Sequence, residues 1–438
     1  MTAPARGDAT GVMMPATAEA LRGEAAGFLT RAMHAYGTLG LGNAVASVDR
    51  LEVFAGGNSG QKALIDVTYA RPEPGLPRHL FAKFSRDFAD PFRDQRRHEL
   101  EGEVRLAALS RLPAFPVAVP RPVFADFETE SGTGLLVTER IAFGAGAVEP
   151  LHEKCRDHLL PAPLEHYRAL VAAQARLAAA QHRGDLSPDL ETLFPYDRAA
   201  AEADLPIACG PEALRTSLRT LAAFIAAHPQ LFPPAVTDPR FAARLEREAM
   251  AILAREGEVR RFLQSDPRLV AVCHWNTNID NAWFWRDGVG TLHCGLLDWG
   301  MVRPMNVATG LWGGLSAATT AFLDAELDGL LDHYRAELAA HGGPDIAADV
   351  LARHFDLSLA ITGLALMMDL PALIAARMPD IAEATGPLDP LLRRDRVVEG
   401  FLLVSTNFLD LWAKRRFGES LAAIGTASPA RPGAAAGF

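Results

Sequence analysis

The stretch CHWNTNIDNAWFWRDGVGTLHCGLLDWG, residues 273–300, decides how this chain is read. Its polar loop HWNTNIDN (274–281) stands between two apolar runs, RLVAV (268–272) and AWFW (282–285). Short polar loops between strands often carry catalytic groups, because the sheet aims them while the loop supplies the chemistry. After the loop the pattern reads strand AWFWRD, turn GVG, strand LHCGLL, and then Asp298, Trp299 and Gly300. A carboxylate at the end of a buried strand, next to a glycine that permits a tight turn, is placed to hold a metal. Asp-x-Gly alone also marks ordinary turns, so the carboxylate needs a partner. The hairpin supplies one in Asn281, whose amide oxygen and the Asp298 carboxylate are hard ligands of the kind Mg²⁺ takes.

Upstream the pattern is that of a small sheet. VDRLEVFAG (48–56) and KALIDVTYA (62–70) read as strands around the turn GGNSGQ, and RHLFAKFSR (78–86) reads as a third. A helix is expected over 92–111, then two more strands, PRPVFADFE (120–128) and TGLLVTERI (133–141). Lys83 lies inside the apolar strand LFAKF, where a lysine either snorkels to the edge or pairs with an anion. Glu99 and Glu103 share one face of the following helix, four residues apart. A buried lysine held by a glutamate and aimed at phosphates is a kinase arrangement. The turn GGNSG (56–60) offers backbone N–H groups to phosphates, although alone it is a hairpin turn.

Around this sheet the chain is helical. A first helix is expected over 17–40, a long alanine-rich one over 164–186, two or three within 211–265, and more from 309 to 424. The expected fold class is α+β: a small antiparallel-sheet lobe with one main helix, and a large, mostly helical lobe. The expected boundaries are a disordered N-terminus (1–17), the sheet lobe (18–141), the helical lobe (142–425) and a disordered tail (426–438). A length of 438 residues calls for two or three packed units, and 49% hydrophobic residues fits a globular protein. A net charge of −10 with no basic stripe argues against a nucleic-acid partner. Cys155, Cys209, Cys273 and Cys294 lack metal-ligand spacing and read as buried thiols of a reducing compartment. The apolar stretch 357–376 is broken by Asp369 and Pro371 and reads as a buried helix. No secretory signal is evident, so a cytoplasmic protein without a membrane partner is expected.

The order of these features is more specific than any one of them. Glycine-rich hairpin, strand lysine, helix glutamate, VTERI strand, His-x-Asn-x₄-Asn loop and Asp-Trp-Gly follow one another over about residues 48–310. In this order the sequence resembles the aminoglycoside phosphotransferase and choline kinase superfamily, with its protein-kinase-like fold and its ecdysteroid-kinase-like branch. The resemblance implies ATP and Mg²⁺ as cofactors and a small-molecule acceptor. It implies phosphate contacts from Gly57, Asn58, Ser59 and Gly60, and an α/β-phosphate contact from Lys83 held by Glu103, preferred over Glu99. Asn281 and Asp298 become the metal ligands, and the linker 138–141, with Glu139 and Ile141, the seat of the adenine. His274 braces the loop, and His182 is structural.

The sequence departs from the pattern at Asn276, where the resemblance calls for an aspartate that takes the acceptor's proton. An amide accepts a hydrogen bond but carries no proton away at neutral pH. Trp275 also replaces the usual glycine. Three readings remain open: an active small-molecule kinase with another base, Asp280 being the loop's only carboxylate; a nucleotide-binding pseudokinase; or nucleotidyl transfer on the same scaffold. The acidic helix 322–338 suits either a cationic acceptor or a solvated face.

Overall fold

The computed structural model describes residues 4–54, 60–86, 88, 90 and 93–424. The first lobe is built on a five-stranded antiparallel sheet. Its strands are β1 (Val45–Phe54), β2 (Lys62–Tyr69), β3 (His79–Phe84), β4 (Pro122–Glu128) and β5 (Thr133–Glu139), arranged β1-β2-β3-β5-β4. Successive strand residues point to opposite faces. Ala63, Ile65, Val67, Leu80, Ala82 and Phe84 therefore bury one face in the core with helix α1 (Ala25–Tyr36). Lys62, Leu64, Phe81 and Lys83 line a cavity on the other. Helix α2 (Glu101–Leu109) packs on β4 and β5.

Three local differences from expectation have plain causes. The first helix is broken at Gly23 into Ala18–Arg22 and α1. The helix expected from residue 92 starts at Glu101, because residues 93–100 form successive tight turns such as Arg96 N–H to Arg93 O and Glu99 N–H to Arg96 O. Residues 4–17, expected to lack structure, include a two-stranded hairpin, Ala5–Arg6 with Met13–Met14. Its loop is tied down by the buried Asp126 carboxylate, which accepts from the Ala9 and Thr10 amides at 3.1 and 2.8 Å.

The second lobe has one continuous core. Its main helices are α3 (Pro163–His182), α4 (Pro211–Ala227), α5 (Pro239–Ala254), α6 (Glu256–Leu263), α7 (Val307–Leu315), α8 (Thr320–Ala340), α9 (Ala348–Leu366) and α10 (Arg396–Lys414). Helix α3 packs along α8 and also touches two small antiparallel sheets. In these, β6 (Val270–Cys273) pairs with β9 (Arg303–Asn306), and β7 (Ala282–Arg286) pairs with β8 (Leu292–Leu296). Strand β9 was not expected; at four residues it is too short to show a period.

The apolar stretch 357–376 divides between α9 and a helix at Leu370–Arg377, bent by 46°. No single helix among the described residues is long and apolar enough to cross a membrane. All four cysteines are free thiols. The acidic face of α8 is partly paired internally: Asp328 accepts from Arg415 at 2.7 Å, and Asp324 meets Lys414.

Candidate functional site

The two lobes face each other across a cavity of about 450 Å³, within the range of small-ligand sites. Strand β3 places Lys83 in its wall, and the strand pairing sets Lys62 directly opposite. The Lys83 ammonium lies 2.6 Å from Glu103 Oε2 on α2 and 2.5 Å from Asp298 Oδ1 in the other lobe. Lys83 is 2% exposed and Glu103 6%, whereas the Asp298 side chain is 39% exposed towards solvent. Burial alone would push the Lys83 ammonium down, but Glu103 and Asp298 outweigh it and hold its pKa above the ordinary lysine value. Burial likewise opposes ionisation of Asp298, yet Lys83 and Lys62 bring its pKa down to about 2. Lys83 and Asp298 are thus both charged at neutral pH.

Asp298 follows the end of β8 with a positive φ of 54°, an uncommon backbone for a residue other than glycine. Asn281 ends the loop that precedes β7, and its side-chain N–H₂ donates to Asn276 O at 2.8 Å. The amide oxygen has no hydrogen-bond partner among the described residues. Asn281, Asp280, Asp298, Lys83, Glu103, Glu139 and Ile141 all line the one cavity.

The other expected residues sit differently. His274 is buried beneath the loop, donating from Nε2 to Leu297 O at 2.7 Å and accepting at Nδ1 from the Asn276 amide at 3.1 Å. With one nitrogen donating and the other accepting the ring is neutral, and burial lowers its pKa to about 4. The Asn276 side-chain oxygen is taken by the Asn278 N–H₂, and Asn276 does not line the cavity. Glu99 pairs with Arg86 at 3.1 Å, away from Lys83. His182 does not line the cavity either. Gly57, Asn58 and Ser59 lie outside the described residues. Gly60 is described, with φ +80° and its α-carbon packed so closely on the Phe84 carbonyl that a Cβ would sit 2.2 Å from it.

Several groups escaped the sequence reading. Lys62 had a signal, since antiparallel register pairs it with Lys83. Burial pushes its ammonium down while Asp298 pulls it up. Asp157 is buried, with one oxygen accepting from the Tyr167 hydroxyl and the other without a partner among the described residues. Burial raises the Asp157 pKa to about 6. Asp280 Oδ1 is likewise buried and unpartnered among the described residues, and burial raises that carboxyl too. Neither Asp157 nor Tyr167 belongs to a motif that a sequence pattern would single out.

No protein-family model matches the chain, and no curated protein sequence matches it. Solved structures do. A choline/ethanolamine kinase family protein from Mesorhizobium loti is 15% identical with a TM-score of 0.41, covering 86% of this chain and 92% of that one. A choline kinase from Cryptosporidium parvum gives 11% and 0.41, covering 86% and 90%. A spectinomycin phosphotransferase in complex with ADP and spectinomycin gives 10% and 0.39, covering 86% and 94%. Likenesses this distant leave the two-lobed α+β fold to be read from this chain's own strand order and lobe packing, and it is to such small-molecule kinases that the chain is similar.

Proposed function

We propose that the protein is an ATP- and Mg²⁺-dependent phosphotransferase acting on a hydroxyl of a small molecule. The carrying observation is Lys83 Nζ held between Glu103 and Asp298 in the cavity that also takes in Asn281 and the linker 138–141. The donor set fits the metal: an ionised carboxylate and an amide oxygen without a hydrogen-bond partner among the described residues. Asn281 and Asp298 would hold Mg²⁺, which when bound offsets the charge that develops on the transferring phosphoryl group. Lys83, backed by Lys62, contacts the phosphates. The Glu139 and Arg140 amides are engaged with Arg121 O and His79 O at 2.8 and 2.9 Å, and the Ile141 amide, without a backbone partner among the described residues, would meet the nucleobase.

His274 and Asn276 brace the loop in this reading. The base is Asp280, whose buried carboxyl has its pKa raised towards the range useful for taking a proton at neutral pH. The acceptor hydroxyl would give its proton to Asp280 as its oxygen bonds to the γ-phosphorus and the bond from that phosphorus to the β,γ-bridging oxygen breaks, releasing ADP. Asn276 is the observation that favours a second reading, a pseudokinase that binds nucleotide without transferring phosphate.

An ADP-release assay over a panel of hydroxyl acceptors tests the proposal. Asp280→Asn should lower kcat by about 10²–10⁴ with the Mg²⁺–ATP-dependent rise in Tm intact. Nucleotide binding in the wild type without turnover on any acceptor supports the pseudokinase; no nucleotide binding at all ends both readings.

A further inference from the structure

Away from the phosphate-facing residues, the linker between β5 and α3 carries Glu149 and His152, and the first turn of α3 carries His166. Glu149 Oε2 lies 3.0 Å from His152 Nε2 and 2.8 Å from His166 Nε2, and the three atoms fall within 4.8 Å of one another. The two Glu149 spacings are a few tenths of an ångström shorter than the roughly 3.4 Å that separates ligand atoms about 2.1 Å from a tetrahedral zinc ion, so small side-chain shifts would admit one. We propose that Glu149 Oε2, His152 Nε2 and His166 Nε2 bind one first-row divalent ion of the Zn²⁺ type, with water completing the shell.

The hydrogen bonding of His166 carries the assignment. Its side chain is 0% exposed, and its Nδ1 faces Ala162 O at 2.8 Å, so Nδ1 carries a proton and donates it. A neutral imidazole then has only a lone pair at Nε2, yet that nitrogen faces a carboxylate oxygen, another acceptor. Either a second proton on the ring or a cation shared by the two resolves the conflict, and uptake of zinc separates them. The Nδ1–carbonyl bond is the support that metal-bound histidines usually have, fixing ring and tautomer. Phe284 packs against both imidazoles, its ring centroid 4.7 Å from that of His166 and 5.8 Å from that of His152. It supplies an apolar flank. Glu149 and His152 are 24% and 20% exposed, which leaves a solvent side for the fourth ligand. Two imidazoles and one carboxylate select Zn²⁺ and its neighbours over Mg²⁺, which prefers oxygen alone.

The ion would pin the linker. The Glu149 amide already donates to Phe284 O on β7 at 2.8 Å, and Leu151, between the two linker ligands, lines the large cavity. A metal joining Glu149 and His152 to α3 fixes the cavity wall from behind.

The test uses the full chain, stripped with a chelator and re-exposed to zinc chloride, with elemental analysis after desalting. One zinc per chain is expected, bound at least 10- to 100-fold more weakly in His152→Ala and in Glu149→Gln, a loss at least as large as that from disturbing an outer partner. Far-UV circular dichroism confirms that each variant is folded. Cobalt chloride gives a second readout on the wild type alone: the strong visible absorption of a four-coordinate site. Wild-type protein that retains no zinc, zinc retention equal in wild type and His152→Ala, or only the weak spectrum of hexaaqua Co²⁺ overturns the proposal.

Discussion

Lys83 has one charge and two carboxylates to satisfy, and that imbalance defines the site. Glu103 is buried and depends on the ammonium for its solvation, whereas Asp298 is partly exposed and has water as an alternative. Removing Lys83 therefore strands Glu103 rather than Asp298. Lys83→Met should destabilise the protein by about 3–5 kcal/mol, the usual cost of orphaning one partner of a buried pair. Adding Glu103→Leu should recover most of that loss in urea denaturation without restoring the Mg²⁺–ATP-dependent rise in Tm. A double variant as unstable as the single one would show that Glu103 is not held by Lys83. At Asn276 the expectation is small: the Asn278 N–H₂ serves a carboxylate as well as an amide oxygen, and position 276 is off the cavity wall. Asn276→Asp should change turnover less than about tenfold, because general-base assistance worth 10²–10⁴ requires a group within reach of the proton.

Helix α7 is the element that sets the loop. Its glycines lie against the chain before and inside 274–281: a Cβ on Gly313 would sit 1.6 Å from Trp275 O, and one on Gly314 would sit 2.3 Å from Thr277 Oγ1. Thr277 Oγ1 in turn accepts from Gln174 on α3 at 2.7 Å, so loop, α7 and α3 form one braced unit. Gly313→Ala meets backbone, which cannot rotate away, and should cost about 1–3 kcal/mol while lowering activity. Gly329→Ala, at an exposed and unobstructed site on α8, should instead stabilise by up to about 1 kcal/mol. Equal effects on urea midpoints would contradict the packing role. The sequence made the long periodic elements legible, α3 and the strands with Lys83 among them, because each repeats a pattern over several residues. It did not reveal β9, four residues long, or the Asp126 anchor of the N-terminal hairpin, because neither has a local period. Likewise Asp280 and Asp298 were readable from their place in a motif, whereas Asp157 and Tyr167 meet only through the tertiary fold.

At the scale of the whole molecule, buried ionisable groups work against one another as pH falls. His274 and His354 are buried, each accepting a hydrogen bond at Nδ1, from the Asn276 amide and the Asn306 N–H₂, so a proton there would face a donor. Burial lowers both to about 4 from the ordinary 6.5, so the stability they contribute is present above pH 6.5 and lost between 6.5 and 4. Asp157 and Asp410 have the opposite sign. Burial raises both to about 6 from 3.8, so the folded state binds the proton first and gains stability as pH falls through 6 towards 3.8. Each term is of the order of 3 kcal/mol, since one pKa unit corresponds to about 1.4 kcal/mol. The opposing pairs should leave the wild-type urea midpoint less sensitive to acid than either pair alone. Asp157→Asn removes one compensating carboxyl and keeps an oxygen for the Tyr167 hydroxyl, which now donates to Asp157. Between pH 6 and 4 the variant should therefore lose roughly 2–3 kcal/mol relative to wild type. Taking that difference cancels every group the two proteins share, so parallel curves for wild type and Asp157→Asn would mean that the buried carboxyl is not holding a proton in this range.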